Sequence, residues 1–332
     1  MRCLCKKKQR DGGFDTGGID ICLFCRYITH RTTKSTKDFY FMFQVPVTFA
    51  YGFAGCSEAV RASIMQEFAA NGAKHLVLSN PLISQIMADA NLPKKLQKEM
   101  SDAGLTFVDA HSPFQGVYDP IYPDPAYRPQ MIRRQQLCLQ ICQEMGVDTY
   151  TIHVGNDFHY PDIPLSKHID NIAAALDEIL PVAEETGVTV GIENIWIRSN
   201  VSPVLIELKK RFPTPYLGLC FDAGHAHLME EGYKFEENAV APGWRMVGCE
   251  PVWQQNILEE MLPDVINCHL HDNNGQWDDH LLPGQGTIDW KRIVTLLKKA
   301  PRLKNIQSEV ALGKNNISIR SLVEKFNELG EL

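Results

Sequence analysis

From Val45 onward the chain alternates short apolar runs with longer stretches whose apolar positions recur every three or four residues, the mark of strands followed by amphipathic helices. Val45–Phe49 reads as a first strand, and Ser57 then caps a helix whose apolar face is Val60, Ile64 and Phe68 and which closes at Asn71-Gly72 before a second strand, His75–Leu78. The same punctuation recurs at Ala103-Gly104 before Leu105–Val108, at Met145-Gly146 before Val147–Val154, and at Thr186-Gly187 before Val188–Ile192. Leu217–Phe221, Val265–Leu270 and Asn305–Val310 complete the strands, with helices readable at Pro203–Arg211, Trp290–Lys299 and Ile317–Leu329. Pro181 predicts a kink in the helix running from Lys167 to Thr186. Serial βα units of this kind predict an α/β fold, a (β/α)8 barrel with right-handed crossovers, whose function lies at the C-terminal ends of the strands. The long loops at His111–Pro129, Gly155–Ser166, Ala223–Asn256 and Asp272–Asp289 fall on that face.

The residues at those strand ends change the picture from fold to chemistry. The third strand ends in Asp109-Ala110-His111, the fourth in His153, the fifth in Glu193-Asn194, the sixth in Asp222 followed by His225, the seventh in His269-Leu270-His271, and the eighth in Glu309. Side chains alternate along a strand, so Asp109 with His111, Thr151 with His153, and Gly191 with Glu193 each share one face, and all of these can converge on the barrel axis. Any one such group is ordinary loop chemistry. Six strands placing them together predict a divalent metal site, because burying unpaired carboxylates and imidazoles is otherwise costly. Two Glu, an Asp and a His suit Mn, Mg, Co or Zn without selecting among them.

Residues 1–41 do not share this pattern. Lys6-Lys7-Lys8, paired glycines and a Thr/Lys/Ser run give no sustained periodicity, so they are expected to form a disordered extension, with the barrel occupying residues 42–332. Cys3, Cys5, Cys22 and Cys25 could supply four thiolates to a zinc ion, but their spacing is tight and no core surrounds them. Cys138, Cys142, Cys220 and Cys268 lie in apolar patterns and read as reduced, buried residues. With Lys+Arg 33 against Asp+Glu 40 and a formal net charge of -7, no surface is devoted to polyanions, which argues against a nucleic-acid partner. No apolar run approaches membrane-spanning length, so a cytoplasmic protein with no membrane partner is expected. A homodimer is compatible with the sequence, although no apolar stripe demands one.

Taken jointly and in order, Thr151–Gly155, Ile192-Glu193-Asn194, Phe221–His225, His269–Asp272, Leu282–Trp290 and Glu309 resemble the xylose-isomerase-like TIM-barrel superfamily of sugar phosphate isomerases and epimerases, which also contains endonuclease IV. The resemblance spans Val45 to about Leu329. It implies a metal held by Glu193, Asp222, His269 and Glu309, although strand parity also allows His271 in place of His269. It further implies that His225 either contacts a substrate oxygen or supports the metal ligands from behind, with His111 and His271 as further substrate contacts. Tyr118, Trp196 and Arg198 follow the strand ends and are expected either to stack on or bind a sugar or to serve as loop packing. The implied substrate is a keto-sugar or sugar phosphate. Glu193 and Glu309 would act as paired bases on a metal-bound enediolate, aided by His153 at the carbonyl. A keto-inositol dehydratase would share the same first step.

The rival reading is an endonuclease IV-like, zinc-dependent hydrolase of abasic-site DNA. The positions resembling its ligands are all occupied, with Asp278 and His280 supplying extra metal sites beyond His111, His153, Glu193, Asp222, His225, His269 and Glu309. Charge and the scarcity of basic residues in the strand-end loops favour the sugar enzyme. Gly284-Gln285-Gly286 is expected to form a tight turn rather than a phosphate cradle.

Overall fold

A computed structural model describes residues 43–332. The readings of residues 1–41, including the Cys3, Cys5, Cys22 and Cys25 set, lie outside these residues. In chain order the elements are β1 (Val47–Phe49), α1 (Glu58–Ala70), β2 (His75–Leu78), α2 (Asn80–Ala88), α3 (Leu92–Ala103), β3 (Thr106–His111), α4 (Arg128–Met145), β4 (Thr149–Ile152), α5 (Leu165–Thr186) and β5 (Thr189–Glu193). There follow α6 (Ser202–Arg211), β6 (Leu217–Asp222), α7 (Ala223–Glu231), α8 (Ala241–Met246), α9 (Ile257–Met261), β7 (Val265–Leu270), α10 (Trp290–Leu297), β8 (Asn305–Ser308), α11 (Leu312–Asn315) and α12 (Ile319–Gly330). All neighbouring strands pair in parallel and β8 returns to β1, closing a (β/α)8 TIM barrel.

The helix ends show why the chain turns where it does. Gly104 and Gly146 end α3 and α4 in the left-handed conformation, with φ of 68° and 76°, so a backbone that a side chain would strain leads straight into the next strand. The outward faces of the strands pack on the helices. Phe49 of β1, for example, meets Phe68 of α1 and Phe326 of α12 at ring-centroid distances of 5.9 and 5.7 Å, tying the first and last units together.

The barrel interior is polar, unlike the apolar outer layer. Thr149 donates to Asp109 Oδ1 (2.5 Å), Asn305 Nδ2 to Thr149 Oγ1 (2.6 Å), and Asn267 Nδ2 to Thr151 Oγ1 (2.7 Å), so β3, β4, β7 and β8 are cross-linked beneath the strand ends. Gly191 leaves the room this needs, because a Cβ there would lie 2.8 Å from Asn267 Oδ1. Burial pushes the Asp109 carboxyl up to about 6.

Several boundaries differ from the sequence reading. β3 runs on to His111, while β4 and β8 stop at Ile152 and Ser308, so His153 and Glu309 stand just beyond their strands rather than within them. The expected loop at Ala223–Asn256 opens instead with α7, because Asp222 caps it by accepting the His225 N–H at 2.7 Å. α5 continues through Pro181. Among the described residues no helix is long and apolar enough to cross a membrane.

Candidate metal centre

The parallel register sets the centre. Asp222 pairs with His269 and His269 with Gln307 across adjacent strands, so the ends of β6, β7 and β8 arrive at one level. Glu193, at the end of β5, is 1% exposed and stands at the middle of the cluster. Its Oε2 lies 3.1 Å from His153 Nε2 and 3.4 Å from His111 Nε2; its Oε1 lies 3.3 Å from His225 Nδ1 and 3.4 Å from His269 Nδ1. The same His269 nitrogen is 3.2 Å from Glu309 Oε1 and 3.9 Å from Asp222 Oδ2. Burial works against charge on Glu193, but the imidazoles of His269 and His153 and the hydrogen bonds of His111 and His153 outweigh it and hold the carboxyl well below its usual range.

Three groups of side chains bring donor atoms within 4.8 Å of one another: Glu193, Asp222, His269 and Glu309; His111, Glu193 and His269; and His225, His271, Asp278 and His280. The first is the set that the resemblance implies. The third gathers the Asp278 and His280 pair with His225 and brings in His271, whose ring stacks on His280 at 3.8 Å and whose Nε2 sits 3.2 Å from Asp222 Oδ2. His271 therefore lies beside Asp222 rather than on the cavity wall, and both it and His269 are fully buried.

The donor chemistry fits a cation. His269 has neither ring nitrogen in a hydrogen bond, and His271 Nδ1 and Asp278 Oδ1 are likewise buried without hydrogen-bond partners among the described residues. Three other imidazoles are oriented from behind. His111 Nδ1 meets the Ser112 carbonyl at 2.9 Å, His225 Nδ1 the Asn194 carbonyl at 2.9 Å, and His280 Nδ1 the Glu309 carbonyl at 2.7 Å. A proton placed on Nδ1 of His111 and His225 leaves Nε2 to face outward, the arrangement by which backbone carbonyls aim imidazole ligands at a metal, while His280 Nε2 meets Asp278 Oδ2 at 3.1 Å. Asn194 also grips Asp222, accepting its N–H at 2.8 Å and donating to its carbonyl at 3.0 Å, and Gln307 donates to Glu309 Oε1 at 2.6 Å. Neither amide was singled out by the sequence, although Asn194 follows a ligand position directly. The carboxylates of Asp278 and Glu309 hold His280 up at about 9 against the opposing effect of burial.

Above the cluster opens a cavity of about 650 Å³. His111, His153, Glu193, His225, Asp278, His280 and Glu309 form its charged wall, and Tyr51, Phe114, Trp196 and Ile197 supply apolar surface. Phe114 packs on His153 at 4.5 Å, and Trp196 stands edge-on to His225 at 5.0 Å. Arg198 is not on this wall: its Nε donates to the buried Asp157 at 2.7 Å, so the guanidinium braces the loop after β4. Tyr118 also stays off the wall, with the Arg134 guanidinium over its ring. Among the described residues lining the cavity there is no Lys or Arg. The cavity wall also includes Asp119 and Asn156, which lie in loops without periodic pattern and which sequence reasoning passed over.

The Leu282–Trp290 segment is a brace. Asp272 accepts hydrogen bonds from Gly284 N (2.7 Å), Ile288 N (3.3 Å) and Trp290 Nε1 (2.8 Å), and a Cβ at Gly286 would lie 2.3 Å from the same carboxylate. The glycines thus let the loop fold around Asp272, which fixes the approach of Asp278 and His280.

Comparison with known proteins agrees with this architecture. Residues 66–305 match the family model described as a xylose isomerase-like TIM barrel. An uncharacterized protein of Methanocaldococcus jannaschii is 25% identical over 253 residues, covering 72% of this chain and 75% of that protein. A probable endonuclease 4 of Persephonella marina is 23% identical over 196 residues, covering 57% of this chain and 64% of its own. Among solved structures, a D-tagatose 3-epimerase-like protein superposes with a TM-score of 0.62 at 20% identity, covering 86% of this chain and 96% of its own. IOLI protein with a bound zinc atom gives 0.62 at 13% identity, with the same coverage. These structural likenesses speak to the fold. With its family model matched over most of the barrel, the chain belongs to the xylose isomerase-like TIM-barrel family.

Proposed function

We propose that this protein is a divalent-metal-dependent isomerase or epimerase of an unphosphorylated keto-sugar or cyclic keto-polyol. The observation that carries the reading is the pairing of Glu193 and Glu309 on either side of His269, at the floor of a cavity with no lysine or arginine on its wall. A substrate phosphate would find no lysine or arginine there, whereas a neutral polyol finds carboxylates, imidazoles and the faces of Trp196 and Phe114. The earlier expectation of a sugar phosphate is narrowed accordingly. D-tagatose 3-epimerase-like protein and the 3-keto-D-glucoside 4-epimerase of E. coli, similar in fold, are of the same chemical class by their names.

Glu193, Asp222, His269 and Glu309 would hold the cation, which when bound polarises a carbonyl and acidifies the adjacent C–H. Glu193, held ionised by its imidazole neighbours, is the group suited to remove that proton. Glu309 is 17% exposed at its side chain and steadied by Gln307, and it would return the proton from the other side. His111 and His153 present Nε2 toward Glu193 and would steer the substrate oxygens. Phe114 and Trp196 exclude water from the faces of the substrate.

One observation favours a second reading. The separate group of His225, His271, Asp278 and His280 could hold further ions, as a metal-dependent phosphodiester hydrolase would need. The wall without basic residues weighs against it. The deciding experiment measures metal per chain and solvent-deuterium incorporation into a panel of ketoses. One ion with carbon-bound exchange supports the isomerase; two or three ions, no exchange and cleavage of abasic-site DNA support the hydrolase.

A further inference from the structure

Among the described residues outside the donor cluster, Asp119, from the loop that follows β3, is the carboxylate that lines the cavity. It is 5% exposed, and through Oδ1 it accepts the Gln115 N–H at 2.8 Å. Among the described residues none hydrogen-bonds its Oδ2, and the side chain lines the cavity. A buried carboxylate with one free oxygen and no cation beside it is costly, and burial pushes its pKa up to about 6. The backbone around it is also unusual. Gln115 adopts φ 76° and is followed by Gly116 at φ 59°, while Gly155 packs so closely that a Cβ there would lie 2.9 Å from the Asp119 Cβ. Next to Gly155, Asn156 also lines the cavity; its Oδ1 accepts the Phe158 N–H at 3.0 Å, which leaves its amide donors unspent. Beside the metal donors, the cavity wall therefore carries an acceptor on the loop after β3 and amide donors on the loop after β4.

We infer that Asp119, with Asn156, binds substrate hydroxyls other than those that meet the metal donors and so determines which sugars are accepted. Resting on the keto-sugar reading, this assigns those hydroxyls to a specific carboxylate. A free acceptor oxygen on one loop and amide donors on the adjoining loop match substrate hydroxyls, one donating to Asp119 and another accepting from Asn156. A site built to bond a hydroxyl rejects the analogue that lacks it, because the buried group is then left unpaired.

The test uses the metal-loaded full chain and Asp119→Asn, a substitution that retains the oxygen receiving the Gln115 N–H. Both proteins are assayed with the ketohexose that the wild type turns over fastest and with its deoxy counterpart lacking the terminal hydroxyl. The variant should lose about 10- to 100-fold in kcat/KM on the hydroxylated sugar, chiefly through KM, and change little on the deoxy sugar. Equal losses on both would show a loop-holding role alone and overturn the inference. If the wild type turns over no ketose, the function proposal fails by itself, and the subsite is then tested by calorimetric titration with an unreactive hexitol. Binding weakened about tenfold in Asp119→Asn sustains the subsite; equal binding by both proteins, or none by the wild type, overturns it.

Discussion

The buried carboxylate of Asp119 should cost the fold stability at neutral pH, and the cost can be measured without knowing any substrate. Its pKa rises from 3.8 to about 6 on folding, because burial penalises the charge more than the Gln115 N–H relieves it. A folded carboxyl with a raised pKa holds its proton more tightly than the unfolded chain does. Stability from this group is therefore greatest when it is protonated, falls as pH climbs from about 4 to about 6, and stays reduced above that window. A rise of roughly two units corresponds to roughly 3 kcal/mol. The other group coupled to it, the phenol of Tyr160, is raised by burial first and then by Tyr122 and Asp119, and titrates far above this window. In Asp119→Asn the loop contact survives and the titration disappears. Thermal unfolding of both proteins in chelator, from pH 4 to pH 8, should show the variant more stable by up to roughly 3 kcal/mol at pH 7.5, about 5 °C in Tm for a barrel of this size, with the gap closing near pH 4. Differencing at each pH cancels the protonation of the metal donors, which the two proteins share. A gap that does not change with pH, or a wild type more stable at pH 7.5, would refute the reasoning.

Three further outcomes are expected. Glu193→Gln should purify with less than a tenth of the wild-type metal by elemental analysis, since Glu193 belongs to two of the three donor groups. Gly224→Ala should lower stability by about 1–3 kcal/mol in urea titration, because its Cβ would lie 2.0 Å from His271 Cε1 and force that ring off Asp222 and His280; an unchanged midpoint would mean that the ring has room to move. Arg61, 3% exposed, grips Glu99 through two hydrogen bonds of 2.7 Å between α1 and α3, so Arg61→Ala should cost about 2–3 kcal/mol by the same titration, below the value for fully buried pairs because Glu99 keeps some water.

The barrel was legible because its signals are local. Glycines such as Gly104 and Gly146 mark the place where a helix reverses into a strand, and the apolar runs that follow are the strands observed. The donor cluster was legible in part for a related reason: strand parity turns strand-end side chains such as Glu193 toward the axis, while the choice of Glu193, Asp222, His269 and Glu309 came from the family resemblance, with His271 left as an alternative; the fold brings the donor atoms of those four within 4.8 Å of one another. Parity fails where the strand stops. Whether His271 served as ligand, neighbour or substrate contact could not be read from alternation, because it stands beyond the last paired residue of β7 and its position depends on Gly224, in another element. Arg198 misled for a different reason. Its charge beside a catalytic strand end invited a substrate role, yet its partner Asp157 is 41 residues away in the chain and belongs to another loop.

Asp278 and His280 show what decides such cases. In the sequence they read equally well as metal donors or as loop residues ahead of a glycine turn. In the fold that loop is pinned at both ends: Asp272 and Leu281 pair their backbones, the His280 carbonyl accepts the Ala311 N–H at 3.0 Å, and its Nδ1 meets the Glu309 carbonyl. His280 is held at φ 51°, a conformation that costs of order 1 kcal/mol or more for a residue with a side chain. A loop that needed only to connect would relax to negative φ. Holding this imidazole against Asp278 in a strained backbone points to a ligand that both of them face: a substrate oxygen on the isomerase reading, a further ion on the hydrolase reading. Substituting His280 by Asn, which tolerates the same backbone, separates the two: a metal content identical to the wild type, with weakened turnover, is expected of the isomerase, whereas loss of one ion with the group at Glu193 and His269 still loaded would favour the hydrolase.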